Sequence, residues 1–441
     1  MSAKKRKRKR RRIRRERIIV LILVPVLLLA ILGVVIGLII HNNAQKKAEQ
    51  PASEIISIEP ESDIVSPGMS EPVSEQDSQI PADGDNYNPP ALEISENVNQ
   101  LVDGMTLHEK VCQMFVVSPE TITGVGTQIQ AGEQTKTALE STPVGGICLF
   151  AKNLQDAEQT KSLIGNMQSY ARANHGIGLF VSVDEEGGDV TRVAERLGTT
   201  KLEPMYTYKD EGPDKAYQNA QTIGKDIYRY GFNLDFAPVA DIWSNPQNQV
   251  IGTRAYSDNA AQVTELMPSA VKGFHDANVM CTLKHFPGHG DTKEDSHLGS
   301  AFSYKTLEEL NREEFLPFKA GINAGADMVM IAHVTVPEVD SLPASISPKM
   351  HEILRNDLGF NGVIITDSLA MQALTSKYSN AEIGVKCVEA GNDILLCQGG
   401  AADMIAAIEA AVKNGQIEES RIDESVKRIL ALKEKYGLIN Y

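Results

Sequence analysis

The chain has 441 residues, 42% of them apolar and 5% aromatic, which is room for one large globular domain or two to three ordinary ones. Its net charge of −15 conceals a strongly basic first stretch on an otherwise acidic protein. Five widely spaced cysteines in apolar settings exclude a disulfide framework, and no internal repeat marks a solenoid.

In chain order, residues 1–17 come first, with twelve Lys/Arg against one Glu. The next segment, Ile18 to Ile40, carries no charge. At ~1.5 Å per residue it is long enough to cross a bilayer core of about 30 Å. Pro25 is tolerable in such a helix. The basic flank places the N-terminus in the cytoplasm and the rest of the chain outside. The sequence therefore predicts an uncleaved single-pass anchor at residues 18–40, a basic cytoplasmic tail at 1–17, and an extracellular domain on a bacterial cell membrane. A secretory signal peptide has a shorter apolar core and a small-residue cleavage site, and neither is evident. No Cys follows the run to carry a lipid. The basic run could bind nucleic acid, but a spanning segment directly after it makes it a topology signal instead, so no nucleic-acid partner is expected. Residues 41–90 hold ten acids and two lysines among Ser, Pro and Asn, which predicts a disordered linker.

From Ala91 to Tyr441 short apolar runs alternate with amphipathic helical stretches. The runs are QMFVVS (113–118), GGICLF (145–150), LFVSVD (179–184), NLDFAPV (233–239), CTLKHF (281–286), MVMIAHV (328–334), GVIITD (362–367) and DILLCQ (393–398). Nearly continuous apolar runs are what parallel strands buried on both faces require. Eight of them with helical crossovers predict an α/β fold, a (β/α)8 TIM-type barrel, with a doubly wound open sheet as the alternative. No Gly-rich phosphate loop or GxSxG elbow follows any strand.

Polar residues collect at the C-terminal ends of these runs: Asp184, Asp241, Lys284, His285, His333 and Asp367. In a barrel these ends converge on one face, where active sites lie. Any one of them alone could cap a helix or brace a loop. The stretch KHFPGHGDTKEDSH, Lys284 to His297, adds a third of the chain's nine histidines. In its DSH end, Asp295 could orient one nitrogen of His297 and leave the other to move a proton, or Asp295 could simply cap a turn. Asp367, held by a buried strand, could attack an anomeric carbon. Zinc on His289 and His297 is a weaker reading, and no cofactor is implied.

This loop, together with VDEEGGDVTR, NLDFAPVADI, GTRAYS and IITDSLAM, closely resembles glycoside hydrolase family 3 across nearly all of residues 91–441, within its β-N-acetylhexosaminidase branch. The resemblance implies a catalytic barrel at 91–441 with Asp367 as nucleophile and His297 as acid/base, paired with Asp295. It implies that Asp184, Arg192, Arg254, Lys284 and His285 bind the sugar. His289 is expected to brace the turn. It further implies a retaining enzyme acting on terminal β-linked N-acetylglucosamine in peptidoglycan fragments or chitin oligosaccharides. A phosphorylase or β-glucosidase of the same family and an inactive wall-binding barrel are the alternatives. Two positions depart from the family's usual DQEGG and EGGR: Glu185 adds a negative charge and Asp189 stands where Arg is common. Both are expected to bear on pH dependence or on tolerance of anionic substrates.

Overall fold

The computed structural model describes residues 89–173, 176–293 and 299–441. Every described residue belongs to the one compact unit Pro81–Tyr441.

Eleven strands are described: β1 (Phe115–Val117), β2 (Gly146–Cys148), β3 (Phe180–Val183), β4 (Leu234–Asp235), β5 (Met280–Phe286), β6 (Ala301–Phe302), β7 (Met328–Ile331), β8 (Val334–Val336), β9 (Asp340–Pro343), β10 (Val363–Thr366) and β11 (Leu395–Cys397). Eight of them form one parallel sheet in the order β10-β7-β5-β4-β3-β2-β1-β11. The sheet closes on itself: Ile365 bridges Ile394 in parallel, and Thr366 N–H donates to the Ile394 carbonyl at 3.0 Å. This is the (β/α)8 barrel, and each of its strands falls on one of the eight apolar runs. The runs are apolar throughout because the strands are buried throughout, between barrel interior and helices.

Helices cover the outside. The stretch before β3 forms the helix Ala157–Ala173, which buries Leu163, Ile164 and Met167. The stretch before β7 reads as one helical pattern, yet it forms two helices, Leu307–Arg312 and Phe315–Asn323. Pro317 accounts for the break. It offers no N–H to the Glu313 carbonyl and its ring crowds that carbonyl, so Glu313 leaves helical geometry, at φ −128 and ψ −78. The final helix, Glu419–Lys435, buries Ile422, Val426, Ile429 and Leu430, together with Lys433.

The strands β6, β8 and β9 make a separate small sheet, in which β6 pairs with the continuation of β7. All five cysteines are buried and free.

Among the described residues no helix is long and apolar enough to cross a membrane. The expectation of a single-pass membrane protein with an extracellular domain is corrected accordingly. The globular part supplies no span, because its helices are amphipathic and bury one face on the barrel. The run Ile18 to Ile40, on which that expectation rested, lies outside the described residues, as do residues 1–17 and the expected linker up to residue 88.

Candidate active site

A cavity of about 880 Å³ opens at the C-terminal ends of the barrel strands. Asp184, Arg192, Arg254, Lys284, His285 and Asp367 all line it. They come from the ends of β3, β5 and β10 and from the loops after β3 and β4, so 183 residues of sequence separate the first from the last.

A buried ionic network organises one side. Lys284, 2% exposed, places Nζ 2.6 Å from Glu186 Oε1 and 2.9 Å from Asp184 Oδ1. Arg254 grips the same Glu186 with two bonds, Nε to Oε2 and Nη2 to Oε1, both at 2.8 Å. Burial opposes charge on Lys284, Arg254 and Glu186. For Lys284 the Asp184 and Glu186 carboxylates outweigh burial and hold the ammonium above its ordinary value. For Glu186 the Arg254 and Lys284 charges outweigh it and hold the carboxyl far below its usual range. Lys284, Arg254 and Glu186 thus stay ionised on the cavity wall. Arg192 adds a guanidinium whose described hydrogen bond goes to the Thr191 carbonyl, at 3.3 Å; that side chain has no carboxylate partner among the described residues.

A second network sets the loop after β5. Asp241, fully buried, accepts the His285 ring at Nδ1, 2.7 Å, and the His285 backbone N–H, 3.1 Å. Its other oxygen accepts the His289 backbone N–H at 2.7 Å. Nδ1 of His285 thus donates to Asp241, and Nε2 lies 3.4 Å from Arg254 Nη2. The loop passes close against the β4 side: a Cβ at Gly290 would sit 1.8 Å from the Ile242 carbonyl oxygen, so no side chain fits there. His289 braces the turn through Thr292 Oγ1, 2.7 Å from Nδ1, and it also lines the cavity. Burial first, then the neighbouring His285, lowers its pKa.

Asp367 follows β10 directly. Its backbone N–H donates to the Ile331 carbonyl at 2.8 Å, and its Oδ1 accepts the Ser368 N–H at 2.6 Å. The next turn is pinned from behind. His333, fully buried, sits between Ser345 Oγ (2.7 Å) and the Ser368 carbonyl (2.9 Å). A carbonyl only accepts, so His333 Nε2 carries a hydrogen. Ser368 Oγ also bonds Gln398, which follows β11. His333 and Asp241 are therefore braces behind the cavity and not part of its lining.

Glu185 does not add charge to the cavity. It is 3% exposed, and its carboxylate accepts the backbone N–H groups of Arg192, Val193 and Ala194 at 2.6, 2.7 and 2.9 Å. It caps the start of the helix Val193–Leu197. Burial raises its pKa against the pull of those three donors. Asp189 is exposed.

Glu186 is the residue that the sequence reading missed. The two glutamates in DEEGG were the available signal, and nothing in the sequence says which of them turns inward. At the opposite ends of β5 and β7, His275, Cys281 and Asp327 bring three metal-capable atoms within 4.8 Å. Asp327 there already accepts His275, Tyr436 and Lys435. Asp295 and His297 lie outside the described residues.

Comparison with known proteins agrees with this arrangement. The family described as "Glycosyl hydrolase family 3 N terminal domain" matches residues 106–432. "Beta-hexosaminidase A" of Pseudoalteromonas piscicida is 34% identical over 319 residues, 66% of this chain and 53% of that protein. "Beta-hexosaminidase" of Stenotrophomonas maltophilia is 35% identical over 284 residues, 62% of this chain and 80% of that protein. A solved glycoside hydrolase family 3 beta-N-acetylglucosaminidase from Paenibacillus sp. is 38% identical with a TM-score of 0.71, over 76% of this chain and 63% of that one. This chain thus spans little more than half of the first relative and under two thirds of the Paenibacillus structure. With the match covering most of its length and the barrel in place, the chain belongs to glycoside hydrolase family 3.

Proposed function

We propose that this chain is a retaining β-N-acetylhexosaminidase that releases terminal β-linked N-acetylglucosamine. The observation that carries this reading is the single cavity that Asp367 shares with Asp184, Arg192, Arg254, Lys284 and His285. The names of the related proteins, beta-hexosaminidase and beta-N-acetylglucosaminidase, support the choice of sugar.

Asp367 is the nucleophile and attacks the anomeric carbon. His297, oriented by Asp295, gives its proton to the glycosidic oxygen as the bond from that oxygen to the anomeric carbon breaks. A covalent glycosyl-enzyme forms on Asp367. Water then attacks the same carbon, His297 takes the water proton, and the ester to Asp367 breaks. Two displacements restore the β-configuration. Asp184 offers an acceptor and Lys284 a donor to sugar hydroxyls, His285 presents its Nε2, and Arg192 and Arg254 are guanidinium donors. Peptidoglycan fragments and chitin oligosaccharides both present the required terminus.

The test is hydrolysis by the purified chain of nitrophenyl N-acetyl-β-glucosaminide against nitrophenyl β-glucoside, each with and without phosphate. Proton NMR reads the first product formed. Preference for the N-acetyl sugar, indifference to phosphate and initial release of the β-anomer are expected. Initial α-anomer would overturn the double displacement, and a phosphate-dependent sugar 1-phosphate would make the enzyme a phosphorylase. A muropeptide fragment and a chitin oligosaccharide, compared by kcat/KM, then separate the two substrate classes.

A further inference from the structure

At the N-terminal ends of the strands, away from the cavity, side chains from three elements turn toward one point. His275 stands in the last turn of the helix Ala260–Asp276. Cys281 lies at the start of β5 and Asp327 directly precedes β7. The parallel register sets Thr282 opposite Met328, so the barrel itself brings Cys281 beside Asp327. His275 Nε2 lies 2.8 Å from Asp327 Oδ2 and 3.8 Å from Cys281 Sγ. All three metal-capable atoms fall within 4.8 Å of one another.

An ion pair alone does not account for this arrangement. His275 and Asp327 form one, and it needs no thiol. Asp327 Oδ2 also accepts the Cys281 backbone N–H at 3.2 Å and the Tyr436 hydroxyl at 2.9 Å, so three donors crowd one oxygen with two lone pairs. Oδ1 takes Lys435 at 2.8 Å. Cys281 is fully buried, and its sulfur faces the same ring nitrogen that Asp327 holds. An imidazole nitrogen, a thiol sulfur and a carboxylate oxygen are the three donor types that bind zinc in proteins.

Zinc fits both the spacing and the charge. Its bond lengths of about 2.0–2.3 Å place tetrahedral ligands about 3.3–3.6 Å apart. The His275–Cys281 pair then closes, and the His275–Asp327 pair opens, by about half an ångström or less. The His275 side chain is 25% exposed, which gives water a side from which to complete the four. Burial opposes charge on His275, but the Asp327 hydrogen bond outweighs it and holds the ring up to about 10. Binding breaks the His275 N–H and the Cys281 S–H and releases both protons to solvent. Two positive charges arrive as two protons leave, so the net charge beside Lys435 is unchanged.

We propose that His275, Cys281 and Asp327 form a binding site for a thiophilic divalent cation, zinc above all, which ties the end of the helix Ala260–Asp276 to the starts of β5 and β7. Its role is structural, since it lies at the barrel end that serves stability and not at the end that holds the cavity.

The test uses the purified, untagged full chain with zinc and cobalt salts as the probes. Dialysis against zinc followed by elemental analysis should retain one zinc per chain. Cobalt should give a near-ultraviolet thiolate-to-cobalt band and the strong visible bands of a four-coordinate ion. Zinc at about a hundredfold excess over Kd should raise the melting temperature by about 3 °C. Cys281→Ser should abolish the thiolate band and weaken zinc binding at least about a hundredfold. His275→Gln should weaken it alike, and carries the comparison if Cys281→Ser does not fold. Cys112→Ser, which removes the thiol beside His108, should leave zinc binding unchanged. No zinc retained, or full affinity in Cys281→Ser, would overturn the proposal. No cysteine lines the catalytic cavity, so zinc bound without a thiolate band would place the ion elsewhere and overturn it too.

Discussion

Asp241 holds His285 twice, by the ring at 2.7 Å and by the backbone N–H at 3.1 Å, both on one carboxylate oxygen. The second oxygen holds the backbone of His289 at 2.7 Å. One fully buried side chain after β4 thus fixes ring and main chain of a loop that begins 44 positions later. The His285 and His289 groups hold the Asp241 carboxyl below its usual range although burial pushes it up.

Asp241→Asn keeps the size and removes one of the two acceptor oxygens. At least one buried donor then meets an amide NH2. The expected result is a stability loss of about 1–3 kcal/mol and a lower kcat/KM, since His285 loses its fixed ring. Chemical denaturation and steady-state kinetics check both. Unchanged kinetics at reduced stability would show that His285 does not depend on this bond for its part in binding.

Asp367→Asn removes the nucleophile but not the turn, because the Asn carbonyl oxygen can still accept the Ser368 N–H. Turnover should fall by at least about 10³-fold, with little change in melting temperature. A variant that keeps more than a few per cent of activity on an activated aryl glycoside would end the assignment of Asp367 as nucleophile.

The barrel was legible in the sequence, and with it the polar residues Asp184, Lys284, His285 and Asp367 of the cavity lining. Eight apolar runs became eight strands because strands buried on both faces leave no alternation to misread. Asp184, Lys284 and Asp367 were readable as rim residues because each directly follows or ends such a run. What was not legible depends on pairs distant in sequence. Glu186 gained its place from Arg254 and Lys284, 68 and 98 positions away. Glu185 was read as an added charge and is instead turned into the helix start beside it. The brace made by His333 needs Ser345 and Ser368 to be seen at once. The small sheet of β6, β8 and β9 has strands of two to four residues, too short for periodicity to declare itself.

Glu185→Gln tests that correction. Gln keeps one acceptor oxygen where Glu185 uses both on three backbone donors. A cap loss of about 0.5–2 kcal/mol is expected. Activity on neutral and on carboxylated substrates should change together and only a few-fold. A selective gain on anionic substrates would mean that the Glu185 charge is felt in the cavity after all.

Lys284→Met separates architecture from sugar binding. Lys284 is buried between Asp184 and Glu186, and removing one member of a buried ion pair costs roughly 3–5 kcal/mol. The melting transition should drop accordingly, and the activity with it. If activity vanishes while the denaturation midpoint stays, the ammonium serves the sugar and not the network.

Lys433 gives a pH-dependent case with the opposite sign. It lies on the final helix, fully buried, with Nζ 2.8 Å from Gln113 Oε1 and 5.0 Å from the Phe180 ring centroid. Burial lowers its pKa to about 7 from an ordinary 10.5. The folded state therefore disfavours the charged form. Between pH 7 and 10.5 the unfolded chain binds more protons at this site, so stability rises with pH across that window. Below pH 7 the amine is charged in both states and the full penalty stays. Lys433→Met removes the charge and fills the same space. It should stabilise the protein by about 1 kcal/mol or more at pH 6 to 7, less as pH climbs, and nothing by pH 10.5. Denaturant midpoints of both proteins from pH 6 to 10 decide the matter. A gain that does not shrink with pH would mean that packing, and not the buried ammonium, sets the difference.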